Sequence, residues 1–438
     1  LLTPSGYGLV SIALTYPLLF SGIADLGLST AITRYASAGM HRHALTALLL
    51  RVLSGVFFAL IMYAMANYLA LTLRRPYLGE AIQLLSIFVI ANIAQTSVTA
   101  YLVGVGRYGD YIASDIARNA SRVIITIALV LLGMGVYGAY WGFSIGYLIG
   151  AACAIYLMPS TNDRLKVDRD TIKELLNYSI PLYATTIVSI PLGQFYNILM
   201  ANYVTNAEMG NYQVAGNLLT GVGLISGALS TALFSTLPTL LGEDYKLRDA
   251  VRRASALIAL VIPSIALALA LFAKQVVYII YGEAYDLAPT YLMIMAMSNL
   301  LAPLSVLGMY INIIGETKVS MALTLVNMAA GLPITWLFLV KMGMLGAVVA
   351  SVINGTIGSA LTVAVVKARY GLSIDAVKTI RYMTPALASA LITYLIMMPI
   401  HGIYLQLAIG LPIYMLSLAV LIAVIVSPGD LEYIAKTS

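Results

Sequence analysis

Four arginines and two aspartates lie in, or at the ends of, runs that are otherwise almost wholly apolar. Along one run, Tyr111, Asp115, Arg118, Asn119, Arg122 and Thr126 recur at helical spacing and share a stripe, while Ile112, Ile116, Val123, Ile124 and Ile127 cover much of the rest. Arg118 and Arg122 are four residues apart. Two guanidinium groups so placed suit a phosphate or pyrophosphate, whose oxygens accept paired hydrogen bonds. If the helix enters a membrane near Asp110, Arg122 lies about 18 Å inward. The other reading is a helix extended into water, with Asp115 pairing Arg118 for structure.

The first apolar run places Ser11, Thr15, Gly22, Asp25, Ser29 and Thr33 on one helical face. Asp25 is the one carboxylate deep in that run. It could take up a cation or proton, pair with an arginine, or anchor one helix on the next. Arg34 and Arg51 flank the following basic turn, and Arg51 stands about 12 Å along its helix. Phosphate binding and snorkelling to the interface are both open to it. Asp25 and Asp115 are thus the candidates for ion or proton coupling; Arg34, Arg51, Arg118 and Arg122 are those for phosphate.

The second half of the chain offers neutral groups. Thr186, Ser189, Gly193 and Asn197 share a face, and Gln213, Asn217 and Thr220 share another. With Asn119, the residues Thr186, Asn197, Gln213 and Asn217 are suited to sugar hydroxyls, or equally to bonding between helices. No catalytic constellation is visible. His41, His43 and His401 are the only histidines, Cys153 is the only cysteine, and no metal set or phosphate-binding loop is recognisable. No cofactor is expected. No basic stretch is interleaved with exposed aromatics, so no nucleic-acid partner is expected either.

The elements that must carry these residues are membrane helices. The chain of 438 residues is 61% hydrophobic and 10% charged, with a mean hydropathy of +0.93. Surface-to-volume scaling leaves a soluble chain no way to hide so much apolar surface. Thirteen runs between 8 and 427 are long enough to span a bilayer. Of the 24 Lys and Arg residues, twenty fall on one alternating set of turns and flanking helix ends, and only Arg74, Arg75, Lys274 and Lys341 on the other. That asymmetry assigns the first set to the cytoplasm and the C-terminus with it.

The chain also repeats itself at an offset near 200 residues. Tyr7-Gly8 is echoed by Met209-Gly210, Leu28-Ser29-Thr30-Ala31 by the same four residues at 229–232, Tyr101 and Gly106 by Tyr310 and Gly315, and Gly135-Val136-Tyr137-Gly138-Ala139 by Gly343-Met344-Leu345-Gly346-Ala347. The offset spans six helices, an even number, which implies two lobes of like orientation. The lobes expected are 1–159 and 175–367, joined by a charged linker at 160–174, with 368–438 adding two spans and a short tail.

The opening LLTPSGYGLVSIALTYPLLFSGIADLGLSTAITRYAS resembles that of the polysaccharide-export or O-antigen flippases, where a similar Gly-Pro…Tyr-Gly turn follows the first helix and an Ala-Asp-Leu-Gly-Leu helix end precedes a basic turn. The run YGEAYDLAPTYLMIMAMSNLLAPLSVLGMYINIIGETK is similar to a later helix pair of the same family. The family belongs to the multidrug, oligosaccharidyl-lipid and polysaccharide (MOP) exporter superfamily. The resemblance implies an all-α polytopic fold, two six-helix bundles in a V with two further helices, of which the first helix is missing here so that thirteen of fourteen remain. It implies transport, not catalysis. A polyprenyl-(pyro)phosphate-linked oligosaccharide would be flipped across the cell membrane, with membrane lipids and glycan-assembly proteins as partners. A family-typical Asp-Arg pair is here Asn197-Ile198, which shifts any handling of charge to the first lobe. The rival readings are a multidrug or cation antiporter of the same superfamily and a membrane glycan polymerase or ligase. The antiporter would want an acidic cavity; the enzyme would want a large external loop, and the external turns are short.

Overall fold

A computed structural model describes residues 2–159, 168–236, 243–427 and 429, with side chains throughout except at 181–182, 184–193, 232, 234–236 and 244. The described residues form helices and turns, with no strand among them. In chain order the helices are α1 (Pro4–Ala13), α2 (Thr15–Ala24), α3 (Leu28–Ser37), α4 (His41–Thr72), α5 (Gly79–Leu84), α6 (Ser86–Gly104), α7 (Tyr108–Leu129), α8 (Gly135–Leu157), α9 (Arg169–Tyr203), α10 (Asn206–Thr236), α11 (Asp244–Leu271), α12 (Ala273–Tyr281), α13 (Ala288–Met297), α14 (Ser305–Ile313), α15 (Thr317–Tyr370), α16 (Ala376–Met397) and α17 (Ile403–Ile425). Ten helical runs among the described residues are long and apolar enough to cross a membrane. A helix satisfies its own backbone, which is why this is the form a spanning segment takes.

Two of those ten are 50 and 54 residues long, at Tyr108–Leu157 and Thr317–Tyr370, and each is a hairpin. Gly133 and Gly135 (φ +87° and +53°) turn the first, and Gly343 (φ +60°) turns the second. Only glycine adopts such dihedrals without strain. The partners are antiparallel. In the first hairpin Gly142 meets Thr126, Gly146 meets Arg122 and Gly150 meets Arg118. In the second, Asn354 Nδ2 donates to Gly331 O (3.3 Å) and Thr335 Oγ1 (3.0 Å), and Gly358 meets Asn327. The thirteen apolar runs read from the sequence count each hairpin twice and include 175–202 in α9, which is not among the ten.

These hairpins carry the repeated Gly-x-x-Gly-Ala segments. Gly138 and Gly346 both press on the preceding helix, where an added Cβ would stand 3.0 Å from Leu129 C and 2.0 Å from Phe338 O. The second repeated pair behaves alike: Tyr101 and Tyr310 are buried, and Gly106 and Gly315 turn the chain at φ +77° and +82°. The Leu-Ser-Thr-Ala repeat diverges. At 28–31 it opens α3 after a break, whereas at 229–232 it lies inside the unbroken α10. The single first span read from the sequence is therefore three short helices.

The chain groups into two compact units, Leu1–Gly210 and Asn211–Ser438. This division places α9 with the first unit, although the order of the repeat counts it as the first helix of the second set. A buried cluster in the first unit joins Leu28, Ile32 and Tyr35 of α3 to Ala44 and Ala47 of α4, Tyr101 of α6 and Leu175 of α9. The second unit is built on Val251, Ile258 and Ile262 of α11 packed with Val306, Leu307 and Ile311 of α14.

Candidate functional site

The break between α2 and α3 creates the first group. Leu26 and Gly27 both take the left-handed conformation, at φ +50° and +71°. For a leucine this costs about 1–3 kcal/mol and persists only where surrounding contacts fix it. Here α9 supplies them. Tyr183 Oη donates to Ile23 O (2.6 Å), and Gly27 packs on the Ser179 carbonyl so closely that a Cβ would stand 2.7 Å from it.

The broken turn presents Asp25 to Arg51. Arg51 Nε lies 2.7 Å from Asp25 Oδ1, a coulombic pair whose N–H is not aimed along the contact. Ser29 Oγ donates to Asp25 Oδ2 (2.9 Å). Arg51 Nη1 donates to Ser97 Oγ (3.0 Å) and Nη2 to Thr96 Oγ1 (3.1 Å). Arg51 is only 5% exposed. α4 begins at His41, so Arg51 sits about 15 Å along it, and its head is held by Asp25 at the α2–α3 break and by Thr96 and Ser97 of α6. A charge so buried is tolerated because it is paired and hydrogen-bonded.

The second group is on α7. Arg118 Nη2 lies 2.5 Å from Asp115 Oδ1, and Asn119 Nδ2 donates to Asp115 Oδ2 (3.0 Å). The Arg118 guanidinium stands 5.0 Å from the Tyr147 ring centre, and that of Arg122 4.9 Å from the Phe143 ring. Arg118 Nε is buried without a hydrogen bond. The glycine ladder of α8 lets these arginines pack backbone against backbone, leaving their heads on aromatic faces.

Arg34 stands alone from both. Its guanidinium lies 4.2 Å from the Tyr178 ring of α9 and 5.9 Å from Tyr35. Its interaction with Tyr178 holds its pKa above the ordinary value. Around it, Tyr35 Oη donates to Glu174 (3.1 Å), His43 Nε2 lies 3.4 Å from the same carboxylate, and Arg42 pairs with Asp168, the N-cap of α9. The four arginines thus form three groups with no shared partner among the described residues. Both acids singled out for coupling are ion-paired to arginines singled out for phosphate.

The neutral candidates make local bonds. Asn197 Nδ2 donates to Gln194 Oε1 (3.1 Å), and Gln213 Nε2 to Asn217 Oδ1 (3.1 Å). The Thr186 side chain lies outside the described residues. Among the described residues no three His, Cys, Asp or Glu side chains gather as metal ligands.

Arg75 was not singled out by the sequence, where it reads as an ordinary turn cation. It is 8% exposed. Its Nε donates to Asn206 Oδ1 (2.7 Å), Nη2 to Val204 O (2.8 Å), and Nη1 to Leu73 O (3.0 Å) and to Ala201 O. Burial pulls this guanidinium below its ordinary pKa. Arg75 closes the α9–α10 turn onto the α4–α5 turn. Its place just before Pro76 is the only sequence signal of a fixed turn.

A family model described as "Polysaccharide biosynthesis protein" matches residues 1–289. No curated protein matches the sequence. Among solved structures, the fold is similar to the lipid II flippase MurJ in an inward closed conformation, with a TM-score of 0.79 at 15% identity, covering 97% of this chain and 94% of that one. An inward-facing multidrug resistance MATE family transporter of the MOP superfamily matches with a TM-score of 0.65 at 16% identity, covering 84% and 91%. A MOP superfamily transporter from Pyrococcus furiosus matches at 0.55 and 16%, covering 84% and 88%. At such identities the likeness is one of fold.

Proposed function

Because the chain belongs to the polysaccharide biosynthesis protein family, we propose that this multi-pass membrane transporter flips a polyprenyl-(pyro)phosphate-linked oligosaccharide from the cytoplasmic to the outer leaflet of the cell membrane. In this reading the basic set of turns and the C-terminus face the cytoplasm. The lobes 1–159 and 175–367, linked through 160–174, alternate access by rocking. The observation that carries the reading is the pairing of Arg51 with Asp25 and of Arg118 with Asp115. Each arginine faces a carboxylate partner that a substrate phosphate would replace.

The exchange works as follows. A phosphate oxygen enters beside the guanidinium and takes the hydrogen bonds or the coulombic contact of the carboxylate. The displaced carboxylate, left in a low-dielectric setting, takes up a proton. Release of the substrate on the other side returns the arginine to its aspartate and frees that proton. Asn119, Asn197, Gln213 and Asn217 meet the sugar hydroxyls, while the polyprenyl tail stays in lipid. The chain itself makes and breaks no covalent bond in this cycle, so no catalytic residue is assigned.

The test is leaflet-resolved accumulation of lipid-linked oligosaccharide in cells lacking the gene. The expected result is accumulation on the cytoplasmic face, cured by the wild type but not by Arg51→Gln or by Arg118→Gln with Arg122→Gln. Normal glycan export in the deletion strain, or full rescue by both variants, overturns the reading.

A further inference from the structure

The second unit contains an open cleft of about 370 Å³ between α14 and the two arms of α15, its wall mostly apolar with polar side chains set into it. Three helix segments turn matching faces to it. Gly308 and Asn312 lie four apart on α14; Ser320, Thr324 and Asn327 lie at i, i+4 and i+7 on one arm of α15; Gly355, Ser359 and Thr362 repeat that spacing on the other. Among the described residues no charged side chain lines the cleft. Asn327 lines the cleft, and its Oδ1, turned toward Gly358, has no hydrogen-bond partner among the described residues. Thr324 and Thr362 spend their protons on Ser320 O (3.0 Å) and Gly358 O (2.8 Å), which leaves their oxygens as acceptors. A Cβ added at Gly308 or Gly355 would meet nothing within 4 Å, so both glycines open onto free space.

Groups of this kind cost free energy against hydrocarbon unless something polar meets them. The uncharged lining favours a neutral occupant, since an anion would find no counter-charge there. It must offer many donors and acceptors, and the volume lies in the range of about 300–1,000 Å³ usual for small-ligand sites. A hard cation is a poorer fit, because such ions favour close carboxylate cages. We infer that this cleft is a glycan subsite, taking neutral pyranose units of the transported oligosaccharide through Asn312, Asn327, Ser359 and the threonine oxygens. The inference rests on the flippase reading and adds to it a sugar site in the second unit that is separate from the arginine groups.

The test uses the full chain in lipid nanodiscs with two probes: mannotriose, followed by saturation-transfer NMR, and undecaprenyl monophosphate, followed by native mass spectrometry. In the wild type both should bind. Gly355→Leu, which fills the cleft from open space, and Asn327→Ala should each weaken mannotriose binding about tenfold and leave undecaprenyl phosphate bound. Gly355→Ser should keep most of the sugar signal, which separates filling from misfolding. Sugar binding that survives both Gly355→Leu and Asn327→Ala overturns the subsite, as does a wild type that binds the phosphate but no sugar; the flippase reading survives both results. A wild type that binds neither probe removes both readings. Sodium uptake into the cleft in place of sugar also overturns the inference.

Discussion

Gly8 and Gly210 cross so closely that each fills the space a side chain on the other would need. A Cβ on Gly8 would stand 1.8 Å from Asn206 O and 2.8 Å from Gly210 N; one on Gly210 would stand 1.9 Å from Pro4 O and 3.0 Å from Gly8 N. The contact is reciprocal, at the N-terminal ends of α1 and α10. It joins the two positions that the internal repeat made equivalent, Tyr7-Gly8 and Met209-Gly210.

Backbone carbonyls cannot rotate away as side chains can, so alanine at either glycine forces the helices apart. Gly8→Ala and Gly210→Ala should each cost about 1–3 kcal/mol or more, the range of overpacked cores. Gly216→Ala, whose Cβ meets nothing within 4 Å, should be neutral or stabilise α10 by up to about 1 kcal/mol. Thermal unfolding in detergent checks all three. Equal melting temperatures would mean that the crossing does not constrain the fold.

The Asp25–Arg51 pair should show strong coupling in a double-mutant cycle. Removing one partner leaves a buried charge unpaired, at about 3–5 kcal/mol. Arg51→Ala and Asp25→Ala should therefore each destabilise more than the double variant does. All three should lose glycan export, because the proposed exchange needs both members. Additive losses of stability would show that the two charges do not sense one another.

The α7–α8 hairpin positions Arg118 and Arg122 through its glycine ladder. A Cβ at Gly146 would stand 2.6 Å from Arg122 Cβ, and one at Gly150 would stand 2.6 Å from Arg118 Cβ. Gly146→Ala and Gly150→Ala should shift the arginines outward and reduce export several-fold while the protein still reaches the membrane. Full export with normal expression would mean that the arginines need no such placement.

Arg75 should hold the α9–α10 turn shut. Arg75→Ala removes four hydrogen bonds and leaves carbonyls of Ala201 and Val204 without that donor. The expected cost is about 2–4 kcal/mol, since bonds from charged donors are the stronger kind. Hydrogen exchange across 201–206 should quicken sharply, whereas 251–262 of the second unit should not change. Unchanged exchange at 201–206 would show that the turn is fixed by other contacts.

The sequence by itself determined the helical, membrane-spanning character of the chain. Hydropathy over about 20 residues is a one-dimensional property, and lipid permits few other backbone forms. It also marked the hairpin glycines at 135 and 343, since a repeated turn needs the same residue at the same offset. The candidates on α7 were legible because Asp115, Arg118, Asn119 and Arg122 are near neighbours on one helix, and local spacing fixes their stripe. Tertiary structure alone chose between the readings left open. Asp25 and Arg51 are 26 positions apart, and their pairing depends on the break at Leu26-Gly27, which α9 stabilises from more than 150 residues away. Arg75 looked like any turn cation until the α9–α10 turn came to rest on it. The cleft beside Asn327 needs three helix segments at once. Pattern reveals which face a residue takes on its own helix; which partner meets that face is decided by packing between segments remote in the chain.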